Sequence, residues 1–304
     1  MKKITVPPAA AGLTLQRCLA KWYPGVPKTL ILKLLRKRKI KLNGHPAKDG
    51  AVKLTCGDVV EIWEPDEIQA GVKKKFLSPT PGKIPWPVLY EDKDLIVINK
   101  SAGIAVQSGQ VGSRSVIDAL LQAFPSADPF RQPALVHRLD KGTSGVMVIA
   151  KRRDIAHDLA EQFQRREIKK EYGAVVQGVP AWDEKILKNI FEFQGGRVIV
   201  HPVDQKVVGG VLAETGVVVK KRGSQTALLQ LRPSTGRKHQ LRAQLAKAGF
   251  PIVGDDRYGR KRGAARLMLH ARSLIFQHPR FRKKIIAEAP LPPEFNKIDM
   301  KRRS

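Results

Sequence analysis

The stretch HRLDKGTSG, residues 137–145, places one acidic residue, Asp140, in a polar, glycine-containing loop between two apolar runs. The runs cover residues 134–136 (ALV) and 146–150 (VMVIA). Short apolar runs bounded by turn residues are typical of buried strands, so the sequence predicts that Asp140 lies at a strand end. An aspartate is costly to bury unless it is paired, and cations flank this one at Arg138 and Lys141. The pattern therefore indicates an ionised carboxylate that acts as a nucleophile or a base.

The composition points to a polyanionic partner. The 304 residues carry 56 Lys and Arg against 27 Asp and Glu, a formal net charge of +29. Such an excess favours nucleic acid first and an anionic membrane surface second. No apolar run approaches the roughly 18 residues of a membrane span, so we expect no membrane partner. With only two cysteines and no secretory pattern, we expect a monomer in the reducing cytoplasm.

A small basic unit is predicted over residues 1–66. Pro27 and the residues after it open a helix whose apolar face is followed by a cationic face, and no acid occurs between residues 28 and 49. Charge runs are usually just solvated surface, but an unneutralised stripe is better suited to phosphates. We therefore predict RNA contacts from this face, which carries Lys33, Arg36 and Lys37. Residues 40–42, 52–54 and 59–63 are predicted to be short strands around an Asn43-Gly44 turn.

A proline-rich linker is predicted over residues 67–87, before a larger unit over residues 88–304. In this unit, many predicted strands mix with a few helices, over residues 116–124 and 155–163 among others. The fold class is therefore α+β, with a mixed, largely antiparallel sheet. Near its end, Ser234 or Thr235 is expected to cap a helix with Leu241, Leu245 and Ala248 on one face.

Three blocks of the larger unit resemble the RluA-type pseudouridine synthases. They are residues 88–107 (VLYEDKDLIVINKSAGIAVQ), 137–151 (HRLDKGTSGVMVIAK) and 235–259 (TGRKHQLRAQLAKAGFPIVGDDRYG), supported by KEYGA at 170–174 and LHA at 269–271. The first unit resembles the alpha-L RNA-binding fold, also seen in a small-subunit ribosomal protein. Together these features are similar to the RluC-like subgroup. The third block departs from the family's usual Arg-x-His, because Ala243 and Gln244 follow Arg242.

The resemblance implies isomerisation of uridine to pseudouridine in large-subunit (23S) ribosomal RNA, without cofactor or metal. It implies that Asp140 is the nucleophile and that Arg237 orients it through an ion pair. Tyr172 is expected to stack on the flipped base or to help in proton removal. Leu269 is expected under the base, and Arg138 in the gap that the flipped nucleotide leaves. Whether Asp140 attacks the sugar or promotes an elimination stays open.

Two other functions compete with this one. A non-catalytic RNA-binding or ribosome-assembly factor would need only the basic charge, but it leaves the Asp140 loop unexplained. A hydrolase would need a partner acid for Asp140, for which Asp255 or Asp256 is available. The three surrounding histidines, His137, His239 and His270, lack the spacing of metal ligands.

Overall fold

The computed structural model describes residues 2–7, 10–22, 28–47, 49–62, 84–107, 115–126, 131–195, 197–259 and 266–296. These residues form two compact units, one before residue 80 and one after it. The predicted linker, residues 67–87, lies almost wholly outside the described residues, so its boundaries stay a prediction. Within the described part of the chain, no helix has the length and apolar character that crossing a bilayer requires.

The first unit packs two helices on a four-stranded antiparallel sheet. Apolar residues of both layers form one buried core, which includes Leu15, Cys18, Leu34 and Val60. The sheet order is β1-β4-β2-β3. The elements are β1 (Lys2–Thr5), α1 (Leu15–Trp22), α2 (Lys28–Arg36), β2 (Ile40–Leu42), β3 (His45–Pro46) and β4 (Val59–Ile62).

The details of this unit test the predictions for it. The hairpin turn is confirmed, because Asn43 and Gly44 both have positive φ, as a type I′ turn requires. The strand over residues 52–54 was wrong: Lys53 makes one isolated bridge with Thr14 and no ladder forms. The cations Arg36 and Lys37 are exposed, although α2 ends at Arg36 and Lys37 lies just past it. The side chain of Lys33 lies outside the described residues.

The second unit is built on one mixed sheet of eleven strands, as the predicted α+β class requires. Its main path runs β11-β10-β12-β13-β9-β14-β8-β6-β5, with β15 beside β14 and β7 beside β8. The pair β8–β14 is parallel and the other named pairs are antiparallel. The strands are β5 (Val88–Glu91), β6 (Leu95–Lys100), β7 (Ala134–Leu135), β8 (Ser144–Ala150), β9 (Lys169–Gln177), β10 (Glu184–Gln194), β11 (Arg197–His201), β12 (Val211–Arg222), β13 (Thr226–Pro233), β14 (Leu269–Gln277) and β15 (Lys284–Glu288).

Three α-helices cover this sheet: α3 (Val116–Ala123), α4 (Arg153–Gln164) and α5 (Gln240–Lys247). A 3₁₀ turn, Pro293–Asn296, follows β15. The start predicted for α5 was wrong, because the helix begins five residues after Thr235. The Thr235 hydroxyl donates instead to the Gln240 side-chain oxygen at 2.7 Å, and His239 interrupts the backbone with φ +55°.

The parallel junction of β8 and β14 requires a glycine. Gly145 faces Ala271 in the register and has φ +114°, a backbone conformation that side chains rarely allow. A Cβ at residue 145 would lie 2.1 Å from the Ala271 carbonyl oxygen. The close approach therefore joins the strand that follows Asp140 to the centre of the sheet.

Two histidines, the half-buried His137 and the buried His270, fasten the Asp140 loop to this sheet. His137 stacks on Phe163 at 4.7 Å, and its Nε2 accepts the Val148 amide hydrogen at 3.0 Å. Burial lowers the pKa of His137 to about 3, and the charge of Lys170 acts in the same direction. His137 is therefore neutral, with its proton on Nδ1.

His270 is held between β8 and the segment that follows β15. Its Nε2 donates to the Ala289 carbonyl at 3.3 Å, so its Nδ1 accepts from the Ser144 hydroxyl at 2.8 Å. Arg266 in turn donates to that hydroxyl at 2.6 Å. Burial lowers the pKa of His270 to about 4. Neither histidine is arranged as a metal ligand.

We expect Gly145→Ala to lower the free energy of unfolding by about 3–5 kcal/mol, because both the positive φ and the clash with backbone are penalised. Gly209→Ala is the matched control, since Gly209 has φ +71° but no atom within 4 Å of the added Cβ. The control should lose only the conformational cost, about 1–2 kcal/mol. Urea denaturation measures both, and equal losses would contradict the steric argument.

The free energy of unfolding should be highest above about pH 6.5 and should decrease as the pH falls toward 3. Below the unfolded pKa of histidine the unfolded chain binds protons that the folded His137 and His270 refuse, at up to about 1.4 kcal/mol per pH unit for each group. His137→Gln should flatten this dependence, whereas His157→Gln, at a side chain 82% exposed, should leave it unchanged. Unfolding curves across that pH range decide the matter, and parallel curves for wild type and His137→Gln would refute it.

Candidate active site

A groove of about 540 Å³ opens beside the Asp140 loop, within the range of small-molecule sites. Its walls come from residues 136–143, from the turn and helix 233–242, and from side chains of β9 and β14. Segments far apart in the chain therefore meet here, among them parts of the second and third sequence blocks. The predicted site residues that line it are Arg138, Asp140, Tyr172, Arg237 and Leu269.

Backbone hydrogen bonds hold Asp140 in place. The Thr143 amide donates to the Asp140 carbonyl at 3.0 Å, and the Gly103 amide donates to the Lys141 carbonyl at 2.8 Å. These bonds leave the Asp140 side chain free to enter the groove, where it is 20% exposed. The main chain thus fixes the backbone from which the carboxylate extends into the groove.

The guanidinium that faces Asp140 belongs to Arg242, in the first turn of α5. Its Nη1 lies 3.4 Å from Asp140 Oδ2. Its Nε and Nη2 donate to the two oxygens of Asp255 at 2.8 and 2.7 Å, and Nη2 also donates to Oδ1 of the exposed Asp256 at 3.2 Å. One planar cation thus bridges Asp140 and the buried Asp255. Burial alone would lower the pKa of Arg242, but the bonds and charges of Asp255 and Asp140 raise it overall. The bridge is therefore permanently charged.

Asp255 is fully committed to this arrangement. Its side chain is buried, and Oδ1 also accepts the amide hydrogens of Arg257 and Tyr258 at 2.9 and 3.0 Å. Burial would raise the pKa of Asp255, but the Arg242 hydrogen bonds and these amides lower it overall. A carboxyl group held ionised in this way is unsuited to be the partner acid of a hydrolase.

The expected Arg237–Asp140 ion pair is corrected by this geometry. Arg237 lines the groove, but its Nε donates to the Leu212 carbonyl at 3.2 Å and its amide donates to Gln240 Oε1 at 3.0 Å. The left-handed backbone at His239 separates the turn that holds Arg237 from the helix that holds Arg242. Only the helical arginine is therefore brought to the carboxylate among the described residues.

Tyr172 stands on β9 next to the same carboxylate. Burial, together with the charge of Asp140, raises the pKa of Tyr172 to about 12. The side chain is consequently a neutral phenol near neutral pH. Leu269, buried on the neighbouring strand β14, adds an apolar surface to the groove. An aromatic ring and an aliphatic side chain beside one carboxylate suit a flat, weakly polar ligand.

Cations surround the mouth of the groove. Lys170 donates to the Thr235 carbonyl at 3.2 Å, and burial, followed by the charge of Arg166, lowers the pKa of Lys170. Arg138 is exposed, and in the sequence it is followed by the buried Leu139 and then by Asp140. Positive side chains around a pocket whose inner carboxylate is already paired with Arg242 suit a ligand with phosphates outside and a neutral part inside.

Sequence reasoning missed Lys100, the last residue of β6. Its side chain is completely buried, and Nζ donates to the carbonyls of Ser101 and Ile104 at 2.9 Å each. Burial lowers the pKa of Lys100 to about 8; the charge of Arg266 adds to this and that of Asp140 opposes it. A lysine that ends an apolar strand reads as exposed, so the sequence carries no signal of this burial.

Gln244, at the departure from Arg-x-His, fits a buried polar network. Its Oε1 accepts from the Thr215 hydroxyl at 2.7 Å, and its Nε2 donates to the carbonyls of Leu187 and Ala213 at 3.0 and 3.1 Å and to Asn189 Oδ1 at 3.1 Å. All its polar atoms have partners, so the substitution preserves the packing of α5 on β10 and β12.

A second acidic cluster, away from the groove, does not suit a metal. Donor atoms of Asp92, Asp94 and His278 lie within 4.8 Å of one another. However, His278 Nδ1 accepts the amide hydrogens of Arg280 and Phe281, so its Nε2 carries the proton and donates to Asp92 at 2.8 Å. The Arg280 guanidinium already lies 2.9 Å from Asp94. We interpret the cluster as structural.

Comparisons with known proteins identify the family. The sequence model of a family described as RNA pseudouridylate synthase matches residues 94–247, which include the Asp140 loop and Arg242. The chain is 35% identical over 98% of its length to ribosomal large subunit pseudouridine synthase C of Pasteurella multocida, covering 93% of that protein. It is 36% identical over 96% of its length to the protein of the same name from Escherichia coli K12, also covering 93%.

A solved structure gives the same answer for the fold. Human RNA Pseudouridylate Synthase Domain Containing 4 is 28% identical and superposes with a TM-score of 0.57, over 69% of this chain and 90% of that one. The family model matches half of the chain, and the relatives named above align with nearly all of it. The chain therefore belongs to the RNA pseudouridylate synthase family, in its RluC-like branch.

Proposed function

We propose that this protein isomerises specific uridines of large-subunit ribosomal RNA to pseudouridine, with Asp140 as the group that reacts with the flipped nucleoside. The observation that carries the proposal is the Asp140 carboxylate, exposed to the groove and held by Arg242. The relatives' names supply the RNA, since they are called ribosomal large subunit pseudouridine synthases. Such an enzyme acts where ribosomes are made, and we expect it to work in the cytoplasm as a monomer.

The reaction needs the target base out of its stack, at a cost of a few kcal/mol. Contacts of the groove cations with the RNA backbone would offset that cost. Arg138 is exposed beside the catalytic loop, and a guanidinium plane can stack on bases, so we assign it the gap left in the RNA. The flipped uracil would then lie between Tyr172 and Leu269.

The chemistry breaks the bond from C1′ to N1, turns the base and joins C1′ to C5. The hydrogen lost from C5 is balanced by one gained at N1. In either route, Asp140 loses its charge when it bonds to the sugar or accepts a sugar proton, and it regains that charge before release. Arg242 stabilises the charged state throughout. Because the Tyr172 phenol keeps its proton at neutral pH, we favour stacking over proton removal for this residue.

The small first unit would add affinity. Its exposed cations follow one another from Arg36 to Lys39 and continue at Lys41, which suits a run of phosphates. We propose that Arg36, Lys37 and Lys33 contact ribosomal RNA outside the target nucleotide. The groove alone would then perform the isomerisation, and the basic unit would raise the occupancy of the complex.

The proposal predicts that Asp140→Asn abolishes pseudouridine formation, by about 10³-fold or more, while RNA still binds. The measurement is turnover on a large-subunit rRNA fragment, together with pseudouridine mapping in cells that lack the protein and carry either version. Asp158→Asn is the isosteric control, since the Asp158 side chain is exposed on α4, and it should behave as wild type. Binding without turnover by the wild-type protein would instead indicate an RNA-binding or assembly factor.

Substitutions of the two arginines of the third block, Arg237 and Arg242, should have different kinetic effects. Arg242→Lys should lower kcat about 10²-fold with little change in RNA affinity, since a single ammonium cannot bridge Asp255 and Asp140 at once. Arg237→Lys should act mainly on KM, because its guanidinium faces the groove without touching the carboxylate. Single-turnover rates and binding curves distinguish these effects. The reverse pattern would return the orienting role to Arg237.

A further inference from the structure

A histidine next to the second oxygen of Asp140 and a tyrosine behind that histidine have no role in the function proposed above. His239 Nε2 lies 3.8 Å from Asp140 Oδ1, whereas Arg242 addresses Oδ2. On the opposite side of the imidazole, Nδ1 lies 3.0 Å from the Tyr258 hydroxyl. The three side chains Tyr258, His239 and Asp140 thus form a row that ends at Asp140 Oδ1.

The backbone holds this row in place. His239 has φ +55° and is the last residue before α5, which turns its ring into the groove. Tyr258 ends a turn in which its own amide donates to Asp255 at 3.0 Å. The rings of His239 and Tyr258 meet edge to face at 5.7 Å, and the Arg242 guanidinium lies 5.4 Å from the tyrosine ring. The same turn therefore positions both neighbours of the carboxylate.

The charges around His239 decide its protonation. Burial lowers the pKa of His239; Asp140 opposes this, while the cations Arg242, Arg257 and Lys238 add to it. The imidazole is therefore neutral near neutral pH and carries one proton. Burial also raises the pKa of Tyr258, so its hydroxyl keeps a hydrogen to donate.

Electrostatics then choose the position of that proton. If Nδ1 donated to the tyrosine, the Nε2 lone pair would face the Asp140 carboxylate, and the two would repel. If the tyrosine donates to Nδ1, the Nε2 hydrogen faces the carboxylate instead. Nε2 lies 3.8 Å from Oδ1, which is too far for a hydrogen bond between them. Oδ1 thus stays unhindered for reaction while a donor waits next to it.

We propose that His239 is a catalytic residue that stabilises Asp140 Oδ1 as a neutral hydrogen-bond donor, and that Tyr258 is the positioning residue that fixes its tautomer. The inference rests on the proposed function. Its moment of action is the return of negative charge to Asp140, when the carboxylate leaves the sugar or gives back a proton. A neutral donor assists that step, whereas an imidazolium would bind Oδ1 tightly and weaken it as a nucleophile.

The test compares Tyr258→Phe with Tyr90→Phe. Each variant removes one hydroxyl hydrogen bond, but Tyr90 donates to Asp92, away from the groove. We expect Tyr258→Phe to slow single-turnover pseudouridine formation on an rRNA fragment about tenfold with RNA affinity within twofold of wild type. Tyr90→Phe should keep both values. A Tyr258→Phe rate within twofold of wild type would overturn the proposal.

Nitrogen-15 NMR of labelled histidine reads the tautomer directly and does not require activity. The His239 signal, assigned by its disappearance in His239→Asn, should show the proton on Nε2 in wild type and a shift toward Nδ1 in Tyr258→Phe. A wild-type proton on Nδ1 would refute the inference. An inactive wild type with the expected tautomer would refute the proposed function and leave the arrangement of the row established.

The pH profile provides a further readout that a structural role would not change. Wild-type rates should be constant at neutral pH and fall on acidification below about 6.5, since protonation of His239 ties up Asp140. His239→Asn, whose side chain tolerates the left-handed backbone, should be slower and lack this acidic limb. An unchanged limb in His239→Asn would contradict the assignment.

Discussion

The bridge from Asp255 through Arg242 to Asp140 is the interaction on which the site depends. A guanidinium has enough donors in one plane to serve two carboxylates, and it cannot lose its proton. Asp255 fixes the orientation of the cation by a two-pronged bond, so Asp140 meets a charge that is already in place. A preorganised charge costs little reorganisation when charge changes on the reacting group. Everything else in the groove is arranged around that fixed pair.

Local pattern was sufficient to predict most of the second unit. Continuous apolar runs predicted β7 and β8, and the acidic loop between them predicted where Asp140 lies. These features depend on short-range periodicity and on turn chemistry, both of which a single sequence records. The strands β10 to β12 were missed, because exposed residues such as Ile186, Phe193 and Ile199 blur the alternation of an outer part of the sheet.

The errors within the site concern side chains whose partners a local pattern does not specify. Arg237 and Arg242 stand five residues apart in the same basic block, and only the contact with Asp255 and the left-handed His239 decide which one reaches Asp140. Thr235 looked like a helix cap, but its hydroxyl bonds to the side chain of Gln240. Lys100 is buried because its ammonium group donates to two carbonyls of the following turn. None of these partners can be identified from residue type and spacing alone.

The anchoring of the Asp140 loop by main-chain groups has a consequence for divergence. The amides of Gly103 and Thr143 hold the loop, and the side chains of Arg138 and Lys141 are exposed. Arg138 and Lys141 can therefore change during evolution, or in the laboratory, while the carboxylate stays where it is. Target choice can drift on such a scaffold independently of chemistry, so enzymes of this kind can acquire new RNA sites without first losing the old reaction.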